Sequence, residues 1–206
     1  MNRADNRMSN FLALLLAGVL SIAALAPIAQ AQDAALAKPA ENVTPLLQEM
    51  VGTWDVQQRM WPGPDAQAIN LPSAVAHRRL VGGAYLQEIM KPAHQSKQHA
   101  FTRTAYINFN PVSQRYEYFS IDTRAPQQMH YRSAQRTTSG KKPVELRGDV
   151  FVAPQWGEFK NVAFSYRLVL EEVKDNEQLV RLYLTPQSRK NRQEFLAFEY
   201  VYTRHH

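Results

Sequence analysis

The chain of 206 residues contains no cysteine. Without thiols it can form no disulfide and can use no thiolate nucleophile or cysteine-linked lipid, so its stability must come from packing. It also contains no Gly-x-Ser-x-Gly elbow, no glycine-rich phosphate loop and no His-Glu-x-x-His pair. These absences remove the usual sequence signals of hydrolases, nucleotide-binding enzymes and zinc proteases. The question of catalysis stays open, and the sequence favours a non-enzymatic role.

Long apolar runs are also missing, except for one near the N-terminus, from Phe11 to Ala26. Two arginines precede this run, and Ala29-Gln30-Ala31 follows it. A basic start, a short apolar stretch and a small-x-small site are typical of a secretory signal peptide, and a membrane-spanning helix needs roughly 20 apolar residues. We therefore expect residues 1–31 to be a signal peptide cleaved after Ala31. The mature protein is then periplasmic or secreted, with no transmembrane span.

The rest of the sequence indicates one domain. Residues 32–41 are rich in alanine and show no core pattern, which predicts a flexible leader before a single domain over residues 42–206. Thr44-Pro45 predicts the capped start of a short helix that ends at Gly52. The formal net charge is +6, a mild excess that favours anionic ligands or surfaces.

Beyond Gly52 the apolar residues alternate with polar ones, which is the pattern of half-buried antiparallel strands. Turn signals such as Gly82-Gly83, Asn110-Pro111 and Ser139-Gly140 separate the alternating segments. About ten strands are predicted: 52–60, 74–81, 84–91, 99–109, 115–122, 128–136, 143–152, 161–173, 178–185 and 193–203. Their tight spacing favours an up-and-down meander, which closes into a barrel because closure leaves no sheet edge exposed. A two-sheet sandwich with Greek-key crossings is the alternative.

The first strand opens with Gly52-Thr53-Trp54 after the short helix, and this resembles the opening of lipocalin and fatty-acid-binding barrels. The resemblance implies that Trp54 closes one end of the barrel and that Arg204, near the end of the last strand, packs over its ring. The segments LLQEMVGTWDV, MWPGP, RRLVGGAYLQE, FNPVSQRYEYFSIDT and EFLAFEYVYTRH together resemble a bacterial family of exported lipocalin-like proteins, catalogued as domain of unknown function 1579. That family implies an all-β, calycin-type antiparallel barrel with a short N-terminal helix. It implies no reaction. The polar, basic segment 91–99 departs from the expected short connector.

A small barrel is either filled by its own side chains or encloses a small ligand. Residues 116, 118, 120 and 122 share one face of a strand, which is either a polar lumen or the solvent side. In a functional interpretation, Arg79 or Arg132 faces a ligand carboxylate and tyrosines line the cavity. In a structural one, Arg79 pairs with Glu88 across the Gly82-Gly83 hairpin. The candidate ligand-binding residues are Arg79, Glu88, Tyr106, Tyr118, Asp122 and Tyr166.

Other residue patterns give weaker signals. The six histidines show no metal-ligand spacing; His77 and His130 could meet in a lumen, but we predict no metal and no other cofactor. The basic clusters Lys141-Lys142 and Arg189-Lys190-x-Arg192 lack interleaved aromatic residues, so nucleic-acid binding is not expected.

The leading hypothesis is an exported barrel, monomeric or weakly dimeric, that binds a small hydrophobic or anionic ligand in its lumen. The alternative is a filled barrel that acts through its surface as an envelope scaffold or interaction module, using its basic loops and the segment Trp61–Pro64. An enzyme acting on the bound molecule is a third hypothesis, and it requires acid–base groups that converge in the pocket.

Overall fold

The computed structural model describes residues 43–94, 100–134, 143–174, 176–188 and 192–205. The predicted signal peptide and leader therefore lie outside the described residues, as do Lys141-Lys142, Arg189-Lys190 and most of the 91–99 segment. One short helix, α1 (Pro45–Glu49), precedes ten strands. The strands are β1 (Gly52–Met60), β2 (Ile69–Val81), β3 (Tyr85–Pro92), β4 (Arg103–Asn110), β5 (Arg115–Asp122), β6 (Ala125–Ser133), β7 (Val144–Trp156), β8 (Phe159–Lys174), β9 (Glu177–Pro186) and β10 (Phe195–Arg204).

The ten strands form a closed antiparallel barrel in which each strand pairs with its neighbours in sequence and β1 pairs with β10. The predicted all-β barrel with a short N-terminal helix is confirmed, and the sandwich alternative is wrong. Two strands, β2 and β7, extend furthest beyond their predicted bounds. β2 begins at Ile69 because residues 69–71 pair with the end of β1, and β7 reaches Trp156 because it forms a long hairpin with β8.

The alternation in the sequence places one row of each strand inside the barrel. Along β1, Trp54, Val56 and Gln58 are buried, whereas Asp55, Gln57 and Arg59 are exposed. In β5 the inward row contains Tyr116, Tyr118 and Ser120, each no more than 8% exposed. The shared face of β5 is therefore the polar lumen, one of the two alternatives that the sequence left open.

One end of the barrel is closed by Trp54, which is fully buried and donates from Nε1 to the carbonyl oxygen of Met50 at 3.0 Å. Arg204 is its register partner on β10, and its Cζ lies 4.4 Å from the centre of the Trp54 ring. The predicted contact between these residues is confirmed. Gly52 is required beside them, because its φ is +136° and a Cβ there would lie 2.7 Å from Arg204 Nη1.

Helix α1 covers the same end. Thr44 precedes Pro45 at its start, as predicted, but the Thr44 hydroxyl makes no capping hydrogen bond to the helix and instead accepts one from Tyr116 OH at 3.0 Å. Leu47 is fully buried against the barrel core. Across the described segments, no helix is both long enough and apolar enough to span a membrane.

Candidate functional site

A buried ion cluster lies inside the barrel near the closed end. Arg78 of β2 is the register partner of Glu88 on β3, and Arg103 reaches Glu88 from β4. Arg78 Nε donates to Glu88 Oε2 at 2.8 Å, and Arg103 Nη1 donates to Glu88 Oε1 at 3.0 Å. None of the three side chains is more than 8% exposed. One carboxylate therefore bridges two guanidinium groups in the protein interior.

Neutral polar groups complete this ion cluster. Arg78 Nη1 donates to Gln178 Oε1 at 2.6 Å, and Arg103 Nη2 donates to the hydroxyl of Tyr118. The ring of Tyr202 lies 3.9 Å from Arg78 Cζ, and its hydroxyl lies 3.4 Å from Arg103 Nη1. The space left among these groups is about 20 Å³, roughly what one water molecule occupies. At the height of the ion cluster, the barrel is therefore filled by its own side chains.

The cluster fixes the protonation states of its members. Desolvation by itself would raise the pKa of Glu88, but the charges of Arg78 and Arg103 outweigh it and hold that pKa below its ordinary value. Burial raises the pKa of Tyr118 to about 12, even though the charge of Arg103 acts in the opposite direction. At neutral pH the cluster thus contains two cations, one carboxylate and uncharged phenols.

Beyond Arg103 the barrel opens into a cavity of about 610 Å³. Small-molecule sites typically have volumes of about 300–1,000 Å³. The apolar part of the wall comes mainly from β7 to β10 and includes Phe151, Leu168, Leu182, Leu184 and Phe198. The polar part comes mainly from β4, β5, β6 and β10 and includes Arg103, Ser120, Asp122, Tyr131 and Tyr200. The cavity is thus apolar on one side and has polar groups on the other.

The segment Trp61–Pro64 packs against the β7–β8 turn at the mouth of this cavity. Trp156 Nε1 donates to the carbonyl oxygen of Trp61 at 3.1 Å, and the Trp61 amide donates to Ala197 O at 2.9 Å. Gly157 has a φ of +55°, and a Cβ there would lie 2.1 Å from Pro62 O. Only glycine fits this contact without a shift of the backbone, so the two loops are held together over the mouth.

The structure separates the six predicted ligand-binding residues. Glu88 and Tyr118 belong to the ion cluster, and Asp122 lies at the cavity, paired with Arg124 at 2.6 Å. Tyr166 is buried, and its hydroxyl donates to the carbonyl oxygen of His130 at 3.0 Å. Tyr106 lies on the outer face of the barrel, where its hydroxyl accepts a hydrogen bond from Gln87 Nε2 at 2.5 Å.

Arg79 is also on the outer face, and its predicted pairing with Glu88 is wrong. The β2–β3 hairpin closes on Val81 and Tyr85, which sets Arg79 opposite Gln87 and Arg78 opposite Glu88. Arg79 Nε donates to Gln87 Oε1 at 2.8 Å. Arg132 is exposed on β6, opposite Glu117. Neither of the two arginines proposed to face a ligand carboxylate therefore lies in the lumen.

The main residues that sequence reasoning missed are Arg78, Arg103, Tyr131 and Tyr200. For two of them, Arg78 and Arg103, the sequence contained a signal. Arg78 continues the row of buried small residues Ala74 and Ala76, and Arg103 begins the row that Ala105 and Ile107 continue. This parity agrees with the inward position of both arginines, although the alternation by itself does not show which row faces the lumen.

The histidines proposed to meet in the lumen are outside it. His77 is exposed, with Nδ1 3.1 Å from Thr53 Oγ1, and His130 is exposed and packs on Phe119. Within the described residues, no group of three or more histidine, aspartate or glutamate side chains is placed to hold a metal ion.

The closed ten-stranded barrel, its closed end and its internal cavity define a calycin-like all-β protein. Comparison with known protein families then shows to which family the chain belongs. The chain belongs to the family described as a protein of unknown function, DUF1579, whose profile matches residues 41–204. A comparison with curated proteins finds no match.

Proposed function

We propose that the barrel binds a small, largely apolar molecule in the cavity above Arg103. The observation that carries this proposal is the cavity itself, about 610 Å³ in volume and walled by leucine and phenylalanine side chains. Apolar walls provide most of the binding free energy in such sites, and a few polar groups orient the ligand. The closed end at Trp54 leaves the ligand one axial route, past the Trp61–Pro64 segment.

The alternative, a filled barrel that acts only through its outer surface, lacks a comparable observation. Protein interiors are close-packed, and empty space lined by apolar side chains costs stability in proportion to its volume. A scaffold gains nothing from such a space. A binding protein regains the lost contacts when its ligand fills the cavity.

We also propose that this binding takes place outside the cytoplasm, because residues 1–31 have the pattern of a signal peptide. The full-length chain expressed with its natural N-terminus should yield a mature protein that begins at Gln32. Intact-mass spectrometry of the purified protein tests this point. A product that retains residues 1–31 would contradict it.

The binding proposal is tested with an uncharged fluorescent apolar probe, N-phenyl-1-naphthylamine, whose emission rises in a dry site. The protein should bind it saturably, and Leu182→Trp, which fills the apolar wall of the cavity, should abolish binding. Ile121→Trp is the matched control, because Ile121 is 43% exposed on the outer face of β5. The proposal is wrong if the wild type gives no saturable signal, or if a folded Leu182→Trp variant binds as the wild type does.

A further inference from the structure

Charge does not balance in the barrel interior. Arg78 and Arg103 share the single carboxylate of Glu88, so the ion cluster has one positive charge in excess. Asp122 does not supply the missing negative charge, because it is paired with Arg124 at 2.6 Å. The neighbouring tyrosines stay uncharged, since burial raises the pKa of Tyr118, Tyr131, Tyr200 and Tyr202. A buried charge without a partner is unfavourable, and an anion in contact with it removes that cost.

Arg103 is the residue through which an anion can reach this charge. It is 7% exposed and lies at the boundary between the ion cluster and the cavity, since it lines both spaces. A guanidinium has five N–H groups. Arg103 donates at most three of them, to Glu88, Tyr202 and Tyr118. Among the described residues, the other two have no acceptor.

Two tyrosine hydroxyls that line the cavity near Arg103 also have no hydrogen-bond partner among the described residues. Tyr131 and Tyr200 line the cavity and are 5% and 6% exposed, and in the described parts of the chain neither hydroxyl makes a hydrogen bond. The ring of Tyr200 lies 5.0 Å from Arg103 Cζ, and the ring of Tyr131 packs against that of Tyr118, a hydrogen-bond partner of Arg103. These hydroxyls are therefore available to donate hydrogen bonds to a ligand group in the cavity.

We infer that Arg103, Tyr131 and Tyr200 form a subsite for one carboxylate, and that the ligand is a monoanionic amphiphile whose apolar part lies along the β7–β10 wall. This inference rests on the proposed function. A carboxylate matches the fork of a guanidinium and accepts further hydrogen bonds from phenols. A single negative charge balances the interior, whereas a phosphate monoester with two charges would leave it negative.

The test compares three ligands of one chain length: decanoate, decanol and decylamine. Each displaces N-phenyl-1-naphthylamine from the wild-type protein. Decanoate should bind about tenfold or more tightly than decanol, since a hydrogen bond to a charged group contributes on that order. Decylamine should bind most weakly, because its ammonium group meets the excess positive charge.

Substitutions test which residues give the preference for decanoate over decanol. In Arg103→Met the preference for decanoate over decanol should disappear while decanol still binds. Tyr200→Phe, which removes only a hydroxyl, should reduce the preference in part, and it serves as the test if Arg103→Met does not fold. Arg132→Met is the control with the same net charge, because Arg132 is exposed on the outer face of β6; it should leave the preference unchanged.

The outcomes separate the two proposals. Equal binding of decanoate and decanol, or an unchanged preference in Arg103→Met and Tyr200→Phe, overturns the carboxylate subsite and leaves the apolar cavity as a binding site. Failure of the probe and of all three ligands to bind the wild type overturns both.

Discussion

Arg204 joins the last strand to the closed end of the barrel through three contacts. Its Cζ lies 4.4 Å from the centre of the Trp54 ring, and its guanidinium donates to the carbonyl oxygens of Val51 at 3.0 Å and Glu49 at 2.9 Å. The carbonyl of Glu49 belongs to the end of helix α1, where backbone acceptors lack partners within the helix. One side chain therefore ties together strand β10, the buried indole and the helix.

Replacing Arg204 should destabilise the barrel without changing its interior. Arg204→Met loses a cation–π contact and two hydrogen bonds that its charged guanidinium donates to backbone carbonyl oxygens, and we expect the free energy of unfolding in urea to fall by about 2–3 kcal/mol. Arg192→Met, at an exposed position before β10, is the control and should change it by less than about 0.5 kcal/mol. Equal effects of the two substitutions would show that the contact with Trp54 does not stabilise the fold.

Glu88 should make stability depend on pH in the acid range. Its pKa in the folded protein is below the ordinary value of 4.5, so its contribution is present above pH 4.5 and is lost as the pH falls through the folded pKa. Glu88→Gln should lose about 3 kcal/mol or more at pH 7, because two buried guanidinium groups are left without a carboxylate.

Urea unfolding at several pH values tests this prediction. Below pH 4.5 the difference between the wild type and Glu88→Gln should shrink. Glu194→Gln, which removes a partly exposed partner of Arg167, should cost less than about 1 kcal/mol at any pH. A difference between the wild type and Glu88→Gln that stays constant down to acid unfolding would contradict the assigned role of Glu88.

The contact between Gly157 and Pro62 should hold the two loops at the cavity mouth in a fixed arrangement. Gly157→Ala introduces a Cβ 2.1 Å from Pro62 O at a φ of +55°, whereas Gly82→Ala meets nothing within 4 Å at a φ of +59°. Both variants carry the strain of a left-handed alanine, about 1 kcal/mol, and only Gly157→Ala must also separate the loops.

We expect Gly157→Ala to have the lower melting temperature of the two. It should also show a red shift in tryptophan emission, because Trp61 and Trp156 lose their contact. If the two variants have the same melting temperature and the same emission, the loops are not held together by this contact.

Tyr118 should contribute to unfolding at alkaline pH. Burial raises its pKa from 10.0 to about 12, so the folded state holds its proton over a range in which the unfolded chain loses it. Stability is therefore complete below pH 10.0 and decreases as the pH rises towards 12. Tyr118→Phe should show a smaller decrease over this range, measured as the change in unfolding free energy relative to pH 7. The same decrease in both proteins would argue against a buried, neutral Tyr118.

The alternation of apolar residues was sufficient to predict the number and order of the strands. The contact of Trp54 with Arg204 was predicted from the resemblance to lipocalin and fatty-acid-binding barrels, and the closure of the barrel between β1 and β10 brings the two residues together. Glu88 and Tyr118 were predicted as ligand-binding residues because they lie within strands and could point inward, and the structure places both inside the barrel, in the ion cluster. These features depend on local pattern and on chain order.

Which arginines face the lumen depends on the register of strand pairing, and the local sequence pattern does not determine that register. Arg78 and Arg79 are adjacent and identical, so alternation cannot decide which one faces inward. The choice follows from closure of the hairpin on Val81 and Tyr85. The contact of Arg103 with Glu88 joins two strands and requires the register of both. Such pairings are set by the whole sheet.

The ladder between β6 and β7 has a consequence for the dynamics of the wall. Among the described residues it joins residues 131–133 to residues 146–148 alone, and β7 then bulges between Gly148 and Phe151. Further along, Gln127 Nε2 donates to Val152 O at 3.2 Å, a side-chain bond where a backbone pair would otherwise stand. The barrel wall is thus weakly paired between β6 and β7, beside the cavity. Local opening of the wall should be most frequent there. The backbone amide protons of β6 and β7 should therefore exchange with solvent faster than those of the other strands.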